Sequence, residues 1–535
     1  MDLSSNILNT LNRLCNIKST SGTVEETLAA REIYSIISEI GYFKKHNENL
    51  ILHDIKNDPF ERKYITAMLK MGNSKKLTVL LSHFDVVGIE EFGNLKEYAY
   101  TPLEYTDRLK YEALPQKAKD DLDTDDWLFG RGTMDMKCGL AIHIEIMRYL
   151  YENNIELDGG ILLLTVPDEE NSSAGMLSAV NYLSELKDEG YEIKGVINCE
   201  PYFPEHPDDD NKYIYTGTIG KLLPFIFFAG LETHCGEPFN GISASLLSSM
   251  TTSLMEANLD LCDTYEGYTA PPPVCLKQQD LKSLYSVSTP NFSYAYYNYF
   301  TLNSTPEEVL SKVKALCHKA FELSIEKMQS HEIKYAELTK HKKAGLNIKP
   351  TILFYEELLS MIEKKGISVE IIKEKYKDTG MDTRDMTSHI ISDMLKCIPE
   401  LRPVIVVSLA PPYYPHRKAD NDFKNILDIS KKLIDMSNEE FSEDLIHRDF
   451  FPGLCDLSYL GFDNPYNYFT LKSNMPVMDV SYTLPITALN NINIGGINIG
   501  VMGKDVHKYT ERLNMPYSFK VTPHLVLCAV KEFLK

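Results

Sequence analysis

Residues 136–170 read MKCGLAIHIEIMRYLYENNIELDGGILLLTVPDEE. The first eighteen residues form a helical segment. The segment ILLLTVPDEE (161–170) reads as a buried strand, apolar but for Thr165 up to Pro167 and ending in three successive acids, Asp168, Glu169 and Glu170. A helix feeding a short apolar strand is the unit of an α/β fold, because a strand covered on both faces shows no polar alternation. Three carboxylates at the end of such a strand are costly to bury unless something cationic compensates them.

The same texture extends on both sides. ILNTLNRLCNI (7–17) and EETLAAREIYSIISEIGY (25–42) read as helices, with Gly41 as a stop. YITAMLKM (64–71), LTVLLSHFDVV (77–87) and GVINCEP (195–201) read as strands, and AGMLSAVNYLSELKDEG (174–190) as a helix. Strands alternating with helices predict an α/β domain with a mostly parallel sheet and helices on both faces.

Near residue 218 the pattern changes to KLLPFIFFAG (strand), SASLLSSMTTSLMEANL (helix), FSYAYYNYFTL (strand) and a long helix opened by Thr305-Pro306. This predicts a small inserted α+β domain over 218–340, with APPPV (270–274) as an internal loop. The catalytic domain is then built from 1–217 and 341–535. PVIVVSLA (403–410), INIGGINIG (492–500) and the closing helix HLVLCAVKEFLK return it to α/β texture.

A chain of 535 residues with 43% hydrophobic and 24% charged residues has ample material for two cores. Its formal charge of −21 repels phosphate backbones and anionic lipid, which argues against nucleic-acid and membrane partners. No signal-peptide pattern opens the chain and no apolar run approaches the ~18 residues of a membrane helix, so a cytoplasmic protein is expected. Ten cysteines without a CxxC pair read as reduced thiols. Cys138, Cys199 and Cys235 read as small buried fillers. The acidic KDDLDTDDW (119–127) lacks the glycine of a calcium loop and reads as a solvated loop.

Five short stretches carry the chemistry, each at the end of an expected strand or in the loop after it. They are LLSHFDVVG with His83 and Asp85, LFGRGTMDMKCGLA with Asp135, VPDEENSSAG with Glu169 and Glu170, NCEP with Glu200, and GVMGKDVHKYTERL with His507 and Glu511. Strand ends are where open α/β sheets bind ligands. Imidazoles and carboxylates without a thiolate suit zinc, cobalt or manganese in a hydrolytic site. Two ions need one bridging carboxylate and two further ligands each, a count these residues meet with Glu169 left over as a base.

The order HxD, GRGxxDMKxG, DEE, CEP and a C-terminal histidine resembles the di-zinc family of aminoacylase, acetylornithine deacetylase, succinyl-diaminopimelate desuccinylase and related carboxypeptidases. The resemblance implies two divalent ions, zinc with cobalt or manganese as alternatives. His83 and Glu200 would hold one, Glu170 and His507 the other, with Asp135 bridging. It implies that Glu169 is the general base and that Asp85 orients His83. It further implies a cis bond after Asp135 and a lid domain whose THCGEP segment carries an oxyanion-stabilising His234, with a homodimer formed through that lid. FPGLCDLSYLG (451–461) stands where the family has a substrate-contacting glycine-rich segment, making Gly453 and Asp456 candidates. With APPYYP (410–415), it is similar to an arginine-utilisation, RocB-like branch. Arg384, Arg417 and Arg448 are candidate anchors for a substrate carboxylate. The expected reaction is hydrolysis of an amide in a small N-acyl amino acid. The alternatives are a peptidase of short peptides and a non-catalytic protein that binds an amino-acid derivative.

Overall fold

The computed structural model describes residues 1–206, 209, 211–340, 345, 347–377, 379–419, 423–462 and 464–535. The chain divides into two compact units, one of Met1–Ile219, Arg417–Asp463 and Pro485–Lys535, the other of Gly220–His416 and Asn464–Leu484.

The first unit is built on an eight-stranded sheet. Its strands are β1 (Leu50–Asp54), β2 (Lys63–Met71), β3 (Lys76–His83), β4 (Gly159–Val166), β5 (Glu192–Asn198), β6 (Lys212–Tyr215), β7 (Leu445–Arg448) and β8 (Gly496–Ile499). Their spatial order is β1-β2-β4-β3-β5-β8-β6-β7. The four central strands β4, β3, β5 and β8 are mutually parallel, while β1, β2 and β6 join antiparallel. All eight residues of β4 are buried, which is why ILLLTV shows no alternation. Helix α1 (Ser4–Cys15) packs on α3 (Lys137–Glu152), with α2 (Glu25–Ser38) on β2 and α4 (Ala174–Asp188) on β4. Gly139 in α3 has a packing reason: a Cβ there would stand 2.7 Å from Cβ of Cys199.

The second unit has a sheet of its own, in the order 274–280, 292–301, 224–229, 404–409 and 352–354, with 220–222 alongside 292–301. Helix Pro306–Thr339 is opened by a capping box between Thr305 and Glu308, as Thr305-Pro306 predicts.

Several expectations are corrected. The expected boundary at 340/341 abuts residues 341–344, which lie outside the described ones, and the second unit continues to His416. PVIVVSLA does not return to the first unit; it pairs with 224–229 antiparallel and 352–354 parallel. An apolar buried strand looks alike in either sheet, so its sequence could not choose between them. Gly41 opens the short helix Gly41–Lys45 instead of closing α2. Residues 119–122 belong to helix Gln116–Leu122, and Asp121 accepts from Arg512 Nε at 2.7 Å. Cys138 and Cys199 are buried but Cys235 is exposed. Among the described residues, no helix is long and apolar enough to cross a membrane.

Candidate metal centre

The candidate ligands of the first unit gather at the carboxyl ends of its parallel strands. His83 is the last residue of β3. Glu200 lies two residues beyond β5, and Glu169 and Glu170 lie in the turn between β4 and α4. That turn starts earlier than the sequence suggests: β4 ends at Val166, Pro167 follows, and Asp168 takes a left-handed φ of 70°. Asp135 stands just before α3, and its bond to Met136 is cis. His507, also left-handed with φ 64°, comes from the loop after β8.

Asp135 lies between two donor sets. Its Oδ1 is 3.2 Å from His83 Nε2, which is 3.3 Å from Glu200 Oε1. Its Oδ2 is 3.2 Å from His507 Nε2, which is 2.9 Å from Glu170 Oε1. Two three-residue groups, His83–Asp135–Glu200 and Asp135–Glu170–His507, therefore share one carboxylate through different oxygens. Ligand bonds of ~2.0–2.2 Å at tetrahedral angles separate donor atoms by roughly 3.3–3.5 Å, close to these spacings. Three carboxylates meet two imidazoles in these sets, a negative surplus that two dications would offset. The donor chemistry, the spacing and the charge all fit a pair of divalent ions.

The electrostatics of the side chains themselves express the same crowding. Burial pushes the Glu200 carboxyl up to about 8, and Asp135 adds to the shift while His83 opposes it. Burial likewise raises Glu169, with Glu200 and Glu170 adding to it against His83. Burial works against the His507 imidazolium, yet Asp135 and Glu170 raise it to about 11. A bound dication would instead favour ionised carboxylates and neutral imidazoles.

Glu169 is buried, with Oε2 3.8 Å from His83 Nε2. Asp85 stands behind the candidate ligands. Its Oδ1 lies 3.4 Å from His83 Nδ1, and that nitrogen is 3.1 Å from the Asp85 carbonyl oxygen. The same carboxylate accepts the Glu169 N–H on Oδ1 (3.1 Å), and the Glu170 N–H (3.2 Å) and Ser21 hydroxyl (2.6 Å) on Oδ2. It thus bears on the His83 imidazole and on the backbone of Glu169 and Glu170 at once.

The remaining candidates scatter. Asp456 is buried in the first unit within electrostatic reach of Glu169, and burial pushes its carboxyl up to about 7. The Gly453 carbonyl accepts from the Thr218 hydroxyl at 3.4 Å. Arg417 is buried and donates to Asn493 Oδ1 at 2.9 Å, while Arg448 pairs with Glu205 at 2.5 Å. Arg384 and His234 belong to the second unit. Arg384 Nε bonds Asp382 Oδ1 at 2.9 Å. His234 is exposed, and its Nδ1 accepts from the Gly236 N–H at 3.0 Å.

The sequence reading missed Arg131. Fully buried, it pairs with Glu511 at 2.5 Å and with Glu91, and its Nη2 donates to the carbonyls of His507 and Gly88, each at 3.0 Å. It holds the backbone of the His507 loop. Glu511, four residues after His507, was the available signal, but its partner lies 380 positions away.

The profile of Peptidase family M20/M25/M40 matches residues 79–409. The uncharacterized protein YqjN of Bacillus subtilis (strain 168) is 35% identical, with 99% of this chain and 96% of YqjN covered. Protein RocB of the same organism is 32% identical over 96% of this chain and 92% of its own length. Among solved structures, a tripeptidase from Staphylococcus aureus superposes with a TM-score of 0.56 at 15% identity, covering 100% of this chain and 99% of the tripeptidase.

Proposed function

We propose that this chain, which belongs to peptidase family M20/M25/M40, hydrolyses an amide bond in a small N-acyl amino acid or related amino-acid derivative with the aid of two divalent ions. The observation that carries this reading is the shared carboxylate of Asp135, each oxygen facing a separate histidine–glutamate set. His83 and Glu200 would hold one ion, Glu170 and His507 the other, and zinc fits the donor set, with cobalt or manganese as alternatives. Bound there, the ions would supply Lewis-acid stabilisation of oxygen charge and make water easier to deprotonate.

The chain's own residues divide the remaining work. Glu169 takes a proton from the attacking water as the water oxygen bonds to the carbonyl carbon. It then delivers that proton to the amine nitrogen as the C–N bond breaks. Asp85 fixes the His83 imidazole and the amides of both glutamates, so base and ligand keep their separation. Burial around Glu169 keeps bulk water away from the proton it carries between the two transfers. In this reading His234, supplied by this chain or by a partner copy, stabilises the developing oxyanion. His234→Ala then lowers turnover much more than metal content.

The test is a hydrolysis screen of N-acyl amino acids against di- and tripeptides, with added zinc, cobalt or manganese. Release of the free amino acid from an acyl derivative is the expected result. Turnover confined to peptides would replace the substrate assignment, and no turnover of either class by fully metal-loaded protein would overturn the enzyme reading.

A further inference from the structure

Asp168, the first acid of the DEE run, is not among the candidate ligands and has no part in the chemistry above. Its carboxylate is fully buried and is gripped from outside its own loop by Arg62, the residue just before β2. Arg62 is itself buried and has a fixed approach. Its Nε and Nη2 bond Asp58 Oδ2 at 2.9 and 2.7 Å, and its Nη1 reaches both Glu26 (3.2 Å) and Asp168 Oδ1. Asp58 in turn accepts the backbone N–H groups of Phe60 and Arg62, each at 3.0 Å, and Glu26 accepts the Gly22 N–H at 2.8 Å. The guanidinium therefore sits in a preset socket instead of swinging on a free side chain.

On the other side of the grip, Asp168 organises the turn. Its Oδ2 accepts the Ala174 N–H at the start of α4 (3.1 Å), and its carbonyl accepts the N–H groups of Asn171, Ser172 and Ser173 at 3.3, 3.1 and 2.6 Å. Its left-handed backbone is one that a non-glycine residue holds only when its surroundings impose it. The loop carrying Glu169 and Glu170 is thus fastened at two points, by Asp85 through its amides and by Arg62 through Asp168.

We infer that Arg62 is a positioning residue for the hydrolytic loop, holding Glu169 and Glu170 in place by clamping Asp168. The inference rests on the hydrolytic reading for its consequence in turnover, but not for the clamp itself. A base displaced by about 1 Å loses on the order of 10²-fold in rate. An arginine that only neutralised Asp58 and Glu26 would have no bearing on the loop.

Two variants of the full chain test the clamp. Arg62→Lys keeps the charge but loses the fork. Asp168→Asn keeps an oxygen for the Ala174 N–H but loses the charge that Arg62 grips, and it carries the test should Arg62→Lys fail to fold. Amide hydrogen exchange on the metal-free protein is expected to accelerate roughly 10-fold or more over residues 169–173 and to stay unchanged in β3 and β4. At saturating metal, kcat should fall roughly 10- to 100-fold with little change in KM. Unchanged exchange in the loop of a folded variant, or acceleration spread equally over β3 and β4, would overturn the clamp. A loosened loop with full kcat would overturn its link to turnover. Failure of the hydrolytic reading would appear separately, as inactivity of the unsubstituted protein, with the exchange result standing.

Discussion

Asp135 and the adjacent pair Glu169–Glu170 carry most of the account at the scale of single residues. Adjacent acids of one type have different surroundings: Glu170 Oε1 lies 2.9 Å from His507 Nε2, whereas Glu169 faces His83 at 3.8 Å. Glu170→Ala should therefore lose metal, read as reduced ion content after dialysis, with activity falling alongside. Glu169→Ala should keep its metal and lose about 10²-fold or more in kcat; the reverse pattern would exchange the two roles. Asp85→Ala removes the acceptor that spans His83 and both glutamate amides. Its expected cost is roughly 10- to 100-fold in metal affinity or activity, measured by competition with a chelator. The candidate ligands were legible because each stands at the end of an apolar strand or in the loop that follows it, where a carboxylate or imidazole has no packing reason to be. Arg131 and Arg62 were not, since their partners Glu511 and Asp168 lie 380 and 106 positions away and nothing local marks the pairing.

At the scale of elements, the central parallel strands explain how ligands far apart in sequence converge. β3, β4 and β5 run in register, with His83 opposite Val166 and Leu81 opposite Asn198, so the residues just past their ends emerge side by side. Helix α3 packs close enough to bring Asp135 to them only because position 139 has no side chain. Gly139→Val should destabilise the protein by about 1–3 kcal/mol through overpacking against Cys199, seen as a lowered denaturation midpoint with unchanged slope. Helical periodicity and apolar runs gave the sequence reading these elements with small errors at their ends. The end of β4 was misread because Asp168 turns the chain through a left-handed conformation that an aspartate does not announce.

The molecule as a whole is organised around an insertion, and here the sequence was least informative. The strand 404–409 belongs to the second unit, and the segment 464–484 returns to that unit although the residues before and after it in sequence belong to the first. Strand pairing over such separations is decided by packing, which a run like PVIVVSLA does not encode locally. The second unit's long helix offers a local check: Thr305→Ala removes the capping box and should cost about 1 kcal/mol, read by thermal or denaturant unfolding. The metal centre makes the opposite demand. Its candidate ligands project from sheet ends and loops that the core already fixes, so chelation should abolish hydrolysis while far-ultraviolet circular dichroism stays unchanged. The central claim, two divalent ions sharing Asp135, is tested most directly by elemental analysis of the purified chain beside its Asp135→Ala variant, both dialysed against the same trace of zinc. The account predicts two ions per chain in the first and loss of both from the variant, with hydrolysis lost as well. Full activity in a chain freed of metal, or an Asp135→Ala variant that keeps both ions, would contradict it.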